Sequence, residues 1–447
     1  MKKKISSLVT VMLALFIAVA LASCGNNSAP PATGGDSGST GGDQTASAPA
    51  ASGQAPDTIK IGIPTPLTGV ISGFGMGTPF IQNLAVDAVN ANGGIYIADY
   101  DKKIPIEILT PDSESDPTKA GEVAEQLATK DNVNMLIAQH TPDNTIPVAQ
   151  VGEKYGIPTV SNGCPTDPLM AAGPYNWVFQ SFWNTGDAMD VFIGMWKQLG
   201  YGPGTKVGLL LPNDADALAW KATIETKFQT EGFIAVDPGQ YATGASEWTN
   251  IINTFKSEGV QIICGNDIAP DFQSFITQAT QQGLKYDLIT MGRAFLFPSD
   301  ANALPESIIN GLTNECWWSP ALPFKSSIDG MTCKELADKY MAVDPNGDWY
   351  ATNGDKYSPM EICVDALTRA SSLDPAKIQA ALAATDLDTI SGHIQYDPAT
   401  HTCDTPIAGG QWKWNPDRNR AEEYVVYPGT FPSSVQPDGQ LVLPNQG

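Results

Sequence analysis

The sequence predicts an α/β protein of two lobes, each with its own parallel sheet and helices on both faces. Short β-rich runs alternate with stretches of helical periodicity along most of the chain, which is the pattern of parallel strands joined by helical crossovers. Some 390 residues, 57–447, follow a polar low-complexity leader, more than one hydrophobic core organises.

The elements follow in order. Residues 59–63 form a β-rich run, followed by a loop spaced by Gly69, Gly73, Gly75 and Gly77. Phe80, Leu84, Ala85, Ala88 and Val89 then recur at helical spacing and stop at Asn92, Gly93 and Gly94, a C-terminal glycine signal. Strands are expected at 104–109, 133–138 and 157–160, with helices at 118–129 and 146–155 between them. The same alternation gives helices at 188–199, 218–231, 248–257 and 271–282 and strands at 206–211, 260–264 and 288–291. Past Asn310 the pattern loosens around Trp317, Trp318 and several prolines. Helices are read at 333–341, 358–370 and 375–383, and extended segments at 392–396 and 410–414.

The first residues speak for export. Lys2, Lys3 and Lys4 precede an uncharged apolar run over 8–20, the form of a secretory signal, and that run is shorter than a bilayer-spanning helix needs. Leu21, Ala22, Ser23 and Cys24 resemble a bacterial lipobox, which makes 1–23 a signal peptide and Cys24 the lipid-bearing residue. Residues 24–56 contain too little apolar surface to fold and read as a flexible tether. The expected location is therefore extracytoplasmic, held to a bacterial membrane by lipid.

The formal charge of −23 becomes more negative by three, to −26, once the signal lysines leave. Such a surface repels phosphate backbones and argues against nucleic-acid binding. Six cysteines remain beyond Cys24, and Cys316 with Cys333 closes a short loop that makes this pair the preferred disulfide. Cys363 reads as a small core residue. Enzyme signatures are thin: 73–77 is not GxGxxG, no phosphate loop or GxSxG elbow occurs, and His140, His393 and His401 lack metal-ligand spacing. Asp344, Asn346, Asp348 and Asp355 sit near calcium-loop spacings, but Trp349 stands where glycine is required. No cofactor and no metal is expected.

Several motifs resemble one family. They are Ile59-Lys60-Ile61-Gly62-Ile63, Pro66-Leu67-Thr68-Gly69, Leu84-Ala85-Val86-Asp87-Ala88-Val89-Asn90 and Gly93-Gly94-Ile95. Asp112, Asp116-Pro117-Thr118-Lys119-Ala120, Tyr155-Gly156-Ile157-Pro158-Thr159-Val160-Ser161, Gly283-Leu284 and residues 359–367 continue the match in order. The chain resembles the substrate-binding proteins of branched-chain amino acid ABC importers, the Leu/Ile/Val-binding or type I periplasmic-binding proteins. The resemblance implies two Rossmann-like lobes joined by several crossovers, with lobe 1 from 57–181 and 315–390 and lobe 2 from 182–314 and 391–447. It also implies a small-molecule ligand in the cleft and an ABC permease as partner, with no chemistry performed. A sensory receptor domain is the alternative of another class.

Open parallel sheets bind ligands beyond the carboxyl ends of their strands, so the loops after each strand are the places to look. In amino-acid-binding relatives the third and fourth loops of the first lobe hold the ligand carboxylate. The matching residues here include Thr141, Asn144, Gly163, Cys164 and Thr166, which read equally as helix caps and turn formers. Phe74 matches an aromatic that covers the ligand, and Trp183 lies at the lobe crossover, where it serves either ligand or core. Relatives place an acid after the last strand of lobe 2, whereas this chain has Arg293. Arg293 either holds a carboxylate, aromatic ones included, or makes a salt bridge. Asp214, Asp216 and Asp267 on neighbouring loops are the alternative receivers of an ammonium.

Overall fold

The computed structural model describes residues 53–344 and 346–444. The signal peptide expected at 1–23, Cys24 and the tether as far as residue 52 lie outside the described residues. No helix among the described residues is long and apolar enough to cross a membrane.

Two sheets organise the chain. The first contains β1 (Ile59–Gly62), β2 (Ile106–Leu109), β3 (Met135–Gln139), β4 (Thr159–Asn162) and β5 (Val178–Ser181). The second contains β6 (Lys206–Leu210), β7 (Ile234–Val236), β8 (Ile262–Asn266), β9 (Leu288–Gly292) and β10 (Thr313–Cys316). Late in the chain, β11 (Thr402–Cys403) returns to the first sheet, while β12 (Ala408–Asn415) and β13 (Arg420–Tyr427) close the second as an antiparallel pair. The orders are β11-β5-β4-β3-β1-β2 and β13-β12-β10-β9-β8-β6-β7. Both lobes thus repeat one doubly wound order, second strand outside the first and the third on its other flank, with a crevice where the order reverses.

The strands of both sheet centres are buried on both faces, as β3 (Met-Leu-Ile-Ala-Gln) shows by having all five residues buried. Helix α1 (Thr78–Asn90) turns Ile81, Ala85 and Val89 onto the first sheet. Helix α2 (Pro142–Tyr155) starts on a proline and stops at Gly156, whose φ of 65° only glycine adopts without strain. Helix α3 (Ala215–Glu231) is capped by Asp214, which accepts from the Ala217 N–H at 2.8 Å.

The structure departs from the sequence expectations at identifiable places. β10, Thr-Asn-Glu-Cys, has no apolar run to announce it, yet its polar side chains are buried and partly tied down: Thr313 Oγ1 donates to Ile289 O at 3.0 Å and Asn314 Nδ2 to Glu423 Oε1 at 2.9 Å. β10 belongs wholly to the second sheet, so that sheet runs past the boundary expected at 314. β11 still pairs with β5, so the return to the second sheet falls after residue 403 and not at 391. Helix α4 (Asn353–Ala370) begins five residues before the expected start and carries Pro359 within it. The expected Cys316–Cys333 disulfide is corrected: all six cysteines are free, with the Cys316 thiol 3.5 Å from Trp318 O and the Cys333 thiol 3.3 Å from Ile390 O.

Candidate functional site

The carboxyl ends of β3, β4, β8 and β9 face one another across the crevice between the lobes. Two residues there hold non-glycine backbone at positive φ: His140 (87°), directly after β3, and Arg293 (62°), directly after β9. Such strain persists where the surroundings impose it, and it concentrates at binding sites. Buried polar atoms without a hydrogen-bond partner also gather here: both amide atoms of Gln139, His140 Nε2, Thr141 Oγ1, Ser161 Oγ and Asn162 Oδ1 on the first lobe, and Asn266 and Asp267 Oδ2 on the second. Native proteins leave few such atoms unpaired, which makes this crevice the candidate ligand surface.

On the first lobe, Phe74, Gln139, His140, Asn162, Gly163, Trp317, Thr352, Asp355 and Lys356 enclose about 20 Å³, room for about one water. Phe74 packs edge-on against Phe297 of the second lobe, with ring centroids 5.1 Å apart, and a Cβ on Gly73 would lie 2.8 Å from the same ring. The lobes therefore meet in direct contact at the cleft mouth. Gly163 has φ of 65° and lies close to the His140 backbone, where a Cβ would stand 3.1 Å from its nitrogen.

Several expected ligand residues are occupied elsewhere. Asn144 is saturated, accepting from Ser113 Oγ at 2.6 Å and donating to Gln139 O at 2.9 Å and Pro64 O at 3.2 Å, which ties three strand-end loops together. Thr166 donates to Phe182 O at 2.8 Å and staples the first crossover. Cys164 turns into a small core with Val148, Leu169 and Val178 behind the sheet. Trp183 stacks among Phe182, Trp220 and Trp317 where two crossovers meet, so it serves the hinge core.

The second-lobe residues do come together. Arg293 Nη2 donates to Asp214 Oδ2 at 2.9 Å and to Asn266 O at 2.7 Å, and Nη1 lies 3.4 Å from Asp216 Oδ2. The ion-pair alternative is therefore realised, though buried: the Arg293 side chain is only 5% exposed. Burial pushes Asp216 up to about 6 in spite of Arg293 beside it. Asp267 is pushed well above the carboxylate range by burial, which the hydrogen bond from the Tyr241 hydroxyl only partly offsets. Asp143, in the first turn of α2 on the opposite lobe, is also raised, by burial first and by repulsion from Asp214 second. Even with Asp267 protonated, this wall holds more acid than base.

Sequence reasoning missed the opening turn of α4. Pro359 has no N–H to give the Asp355 carbonyl, and that carbonyl accepts instead from Asn162 Nδ2 at 2.8 Å. The proline thus moors the helix to β4 and brings Thr352, Asp355 and Lys356 to the cavity.

The periplasmic binding protein family model matches residues 58–419. The chain belongs to that family. This periplasmic binding protein is similar to the leucine-, isoleucine-, valine-, threonine-, and alanine-binding protein of Pseudomonas aeruginosa, 23% identical over 373 residues covering 82% of this chain and 93% of the relative. It is also similar to Leu/Ile/Val-binding protein homolog 8 of Brucella abortus, 22% identical over 79% of this chain and 88% of the relative. Among solved structures it is similar to the branched-chain amino acid transporter substrate binding protein LivJ of Streptococcus pneumoniae in complex with isoleucine. There the TM-score is 0.67 at 19% identity, covering 83% of this chain and 100% of the other. A solute binding protein of an ABC transporter from Rhodopseudomonas palustris, in complex with 3,4-dihydroxy benzoic acid, gives a TM-score of 0.66 at 17% identity, covering 85% and 100%. The two-lobed α/β fold expected from the sequence is the fold of these neighbours. The protein is extracytoplasmic by family.

Proposed function

We propose that this protein captures a zwitterionic amino acid, branched-chain or closely related, by closing its lobes and delivers it to an ABC permease from a lipid anchor on Cys24. The state of Arg293 carries the choice of ligand. Its guanidinium is engaged through Nη1 and Nη2 by Asp214, Asp216 and the Asn266 carbonyl, which leaves Nε as its one buried donor without a partner and no free fork for a solute carboxylate. Asp143 adds acid from the facing lobe, and a wall with surplus carboxylate favours an ammonium and repels an anion. The unpaired Thr141 hydroxyl and His140 Nε2 on the first-lobe wall can donate to the ligand's carboxylate. A non-amino carboxylate gripped bidentately by Arg293 needs that pair broken, and the surplus acid around it supports that reading less. Ligand contacts made to both lobes favour the closed state by their differential affinity.

Thermal unfolding tests the ligand class. L-leucine, L-isoleucine or L-valine at about 100 times Kd stabilises the native state by about 2.7 kcal/mol and raises the melting temperature accordingly. The expected result is that 4-methylpentanoate, the leucine skeleton without its ammonium, raises it far less. Equal or greater stabilisation by 4-methylpentanoate restores the reading of Arg293 as an anion receptor.

The apolar run at 8–20, the residues 21–24 and the polar tether support the anchor. Replacing Cys24 with Ser is expected to move the protein from the membrane fraction to the soluble one. Continued sedimentation with membranes, without incorporation of labelled lipid, removes the anchor from the proposal.

A further inference from the structure

We infer that Lys356, on the opening turn of α4, receives the anionic group of the bound solute; the identity of that solute rests on the amino-acid reading above. Lys356 is 1% exposed, and its Nζ lines the first-lobe cavity. It donates to two neutral acceptors, Met76 O at 2.6 Å and Thr352 Oγ1 at 2.9 Å. Among the described residues no carboxylate lies within ion-pair distance of it. A buried ammonium without a counter-charge is among the more costly things a fold retains, and it is retained where something arrives to compensate it.

The groups facing Lys356 do not supply that compensation. Asp355, its neighbour on the same turn, is pushed up to about 8 by burial, against the Trp317 indole and the Lys356 charge, so it supplies little negative charge at neutral pH. His140, facing from the end of β3, is held well below its ordinary value by burial and then by Lys356 itself, and stays neutral. The Tyr350 ring lies 5.9 Å from Nζ, and its hydroxyl donates away to Asp344 at 2.7 Å. Burial accordingly lowers the Lys356 ammonium to about 7 against the attraction of Asp355. An arriving carboxylate provides the missing charge. Asn144 and Thr166, which the resemblance favoured for this task, are committed to backbone carbonyls, whereas His140 Nε2 near Lys356 is unpaired and can donate when it carries the ring proton.

Calorimetric titration of L-leucine and L-leucinamide into the purified protein and its Lys356→Met variant decides the assignment. Leucinamide keeps the ammonium and lacks the carboxylate. Leucine is expected to bind the variant at least about tenfold more weakly, with leucinamide unchanged. Leucine affinity within about twofold of the parent overturns the assignment, as does a parent protein that binds leucinamide as tightly as leucine. If the parent binds 4-methylpentanoate and no amino acid, the amino-acid reading is what fails, and the same comparison with 4-methylpentanoate then decides the role of Lys356. A parent that binds no carboxylate overturns the assignment itself. The melting temperature of the unliganded variant guards against a folding defect: loss of an uncompensated ammonium leaves it equal or higher, and a structural lysine lowers it. Lys356→Gln, which can still donate a hydrogen bond, carries the comparison if the methionine variant does not fold.

Discussion

Replacing Arg293 with Met is expected to lower the free energy of unfolding by about 3–5 kcal/mol, because it strips the counter-charge from a buried ion pair. The guanidinium holds Asp214 at 2.9 Å and Asp216 at 3.4 Å, and Asp216 is only 3% exposed. The loss has a predictable pH dependence. Asp216 already titrates near 6, above an ordinary aspartate, so its contribution to stability is fully present below the unfolded value and is lost as pH rises through about 6. Without Arg293 its pKa rises further, and the deficit of the variant relative to the parent is largest at neutral pH and shrinks on acidification. Urea unfolding near pH 7.5 and pH 5 checks this. A second substitution, Asp216→Asn, removes the stranded charge and should recover part of the loss, which makes the pair strongly non-additive. A deficit that stays the same at both pH values, or that the double variant deepens additively, refutes the charge account and leaves only lost packing.

That pairing also shows where sequence reading stops. The loops after β6, β8 and β9 were readable as site loops, because a doubly wound sheet gathers the carboxyl ends of its strands, and Asp214, Asp216, Asp267 and Arg293 do converge there. Which of them neutralise one another was not readable, since Arg293 meets Asp214 across 79 residues of chain. Helix propensity has no bearing on such a contact. Capping residues and anion ligands share positions at helix starts, so Asn144 and Thr166 read as either, and only their occupied hydrogen bonds decide between the two. Lys356 was missed for a local reason. Pro359 signals a helix start in sequence, but here it lies inside α4, and the turn before it carries the cavity residues. β10 was missed because its buried residues are mostly polar and are held by neighbours distant in sequence, so no apolar pattern announces the strand.

Phe297 makes the second large prediction, and it concerns motion. The ring belongs to the second lobe but is 3% exposed because it sits between Phe74 and Tyr350, with centroids 5.1 and 5.6 Å away and near-perpendicular planes. Truncating a buried phenylalanine costs about 3–5 kcal/mol. Here much of that energy resides in contacts that exist only while the lobes are together, so Phe297→Ala should shift the free protein toward its open form. A differential loss of about 2 kcal/mol moves that equilibrium roughly 30-fold and weakens amino-acid binding by up to the same factor. Small-angle scattering should show a larger radius of gyration for the unliganded variant, returning toward the parent value when ligand saturates. Phe228→Ala supplies the control. Phe228 is equally buried at 3% but packs with Trp196 and Phe233 inside one lobe, so its loss should lower global stability without changing the radius. If the two variants lose the same stability and neither changes in size, Phe297 is ordinary core, and closure is held by the ligand and the charged walls alone.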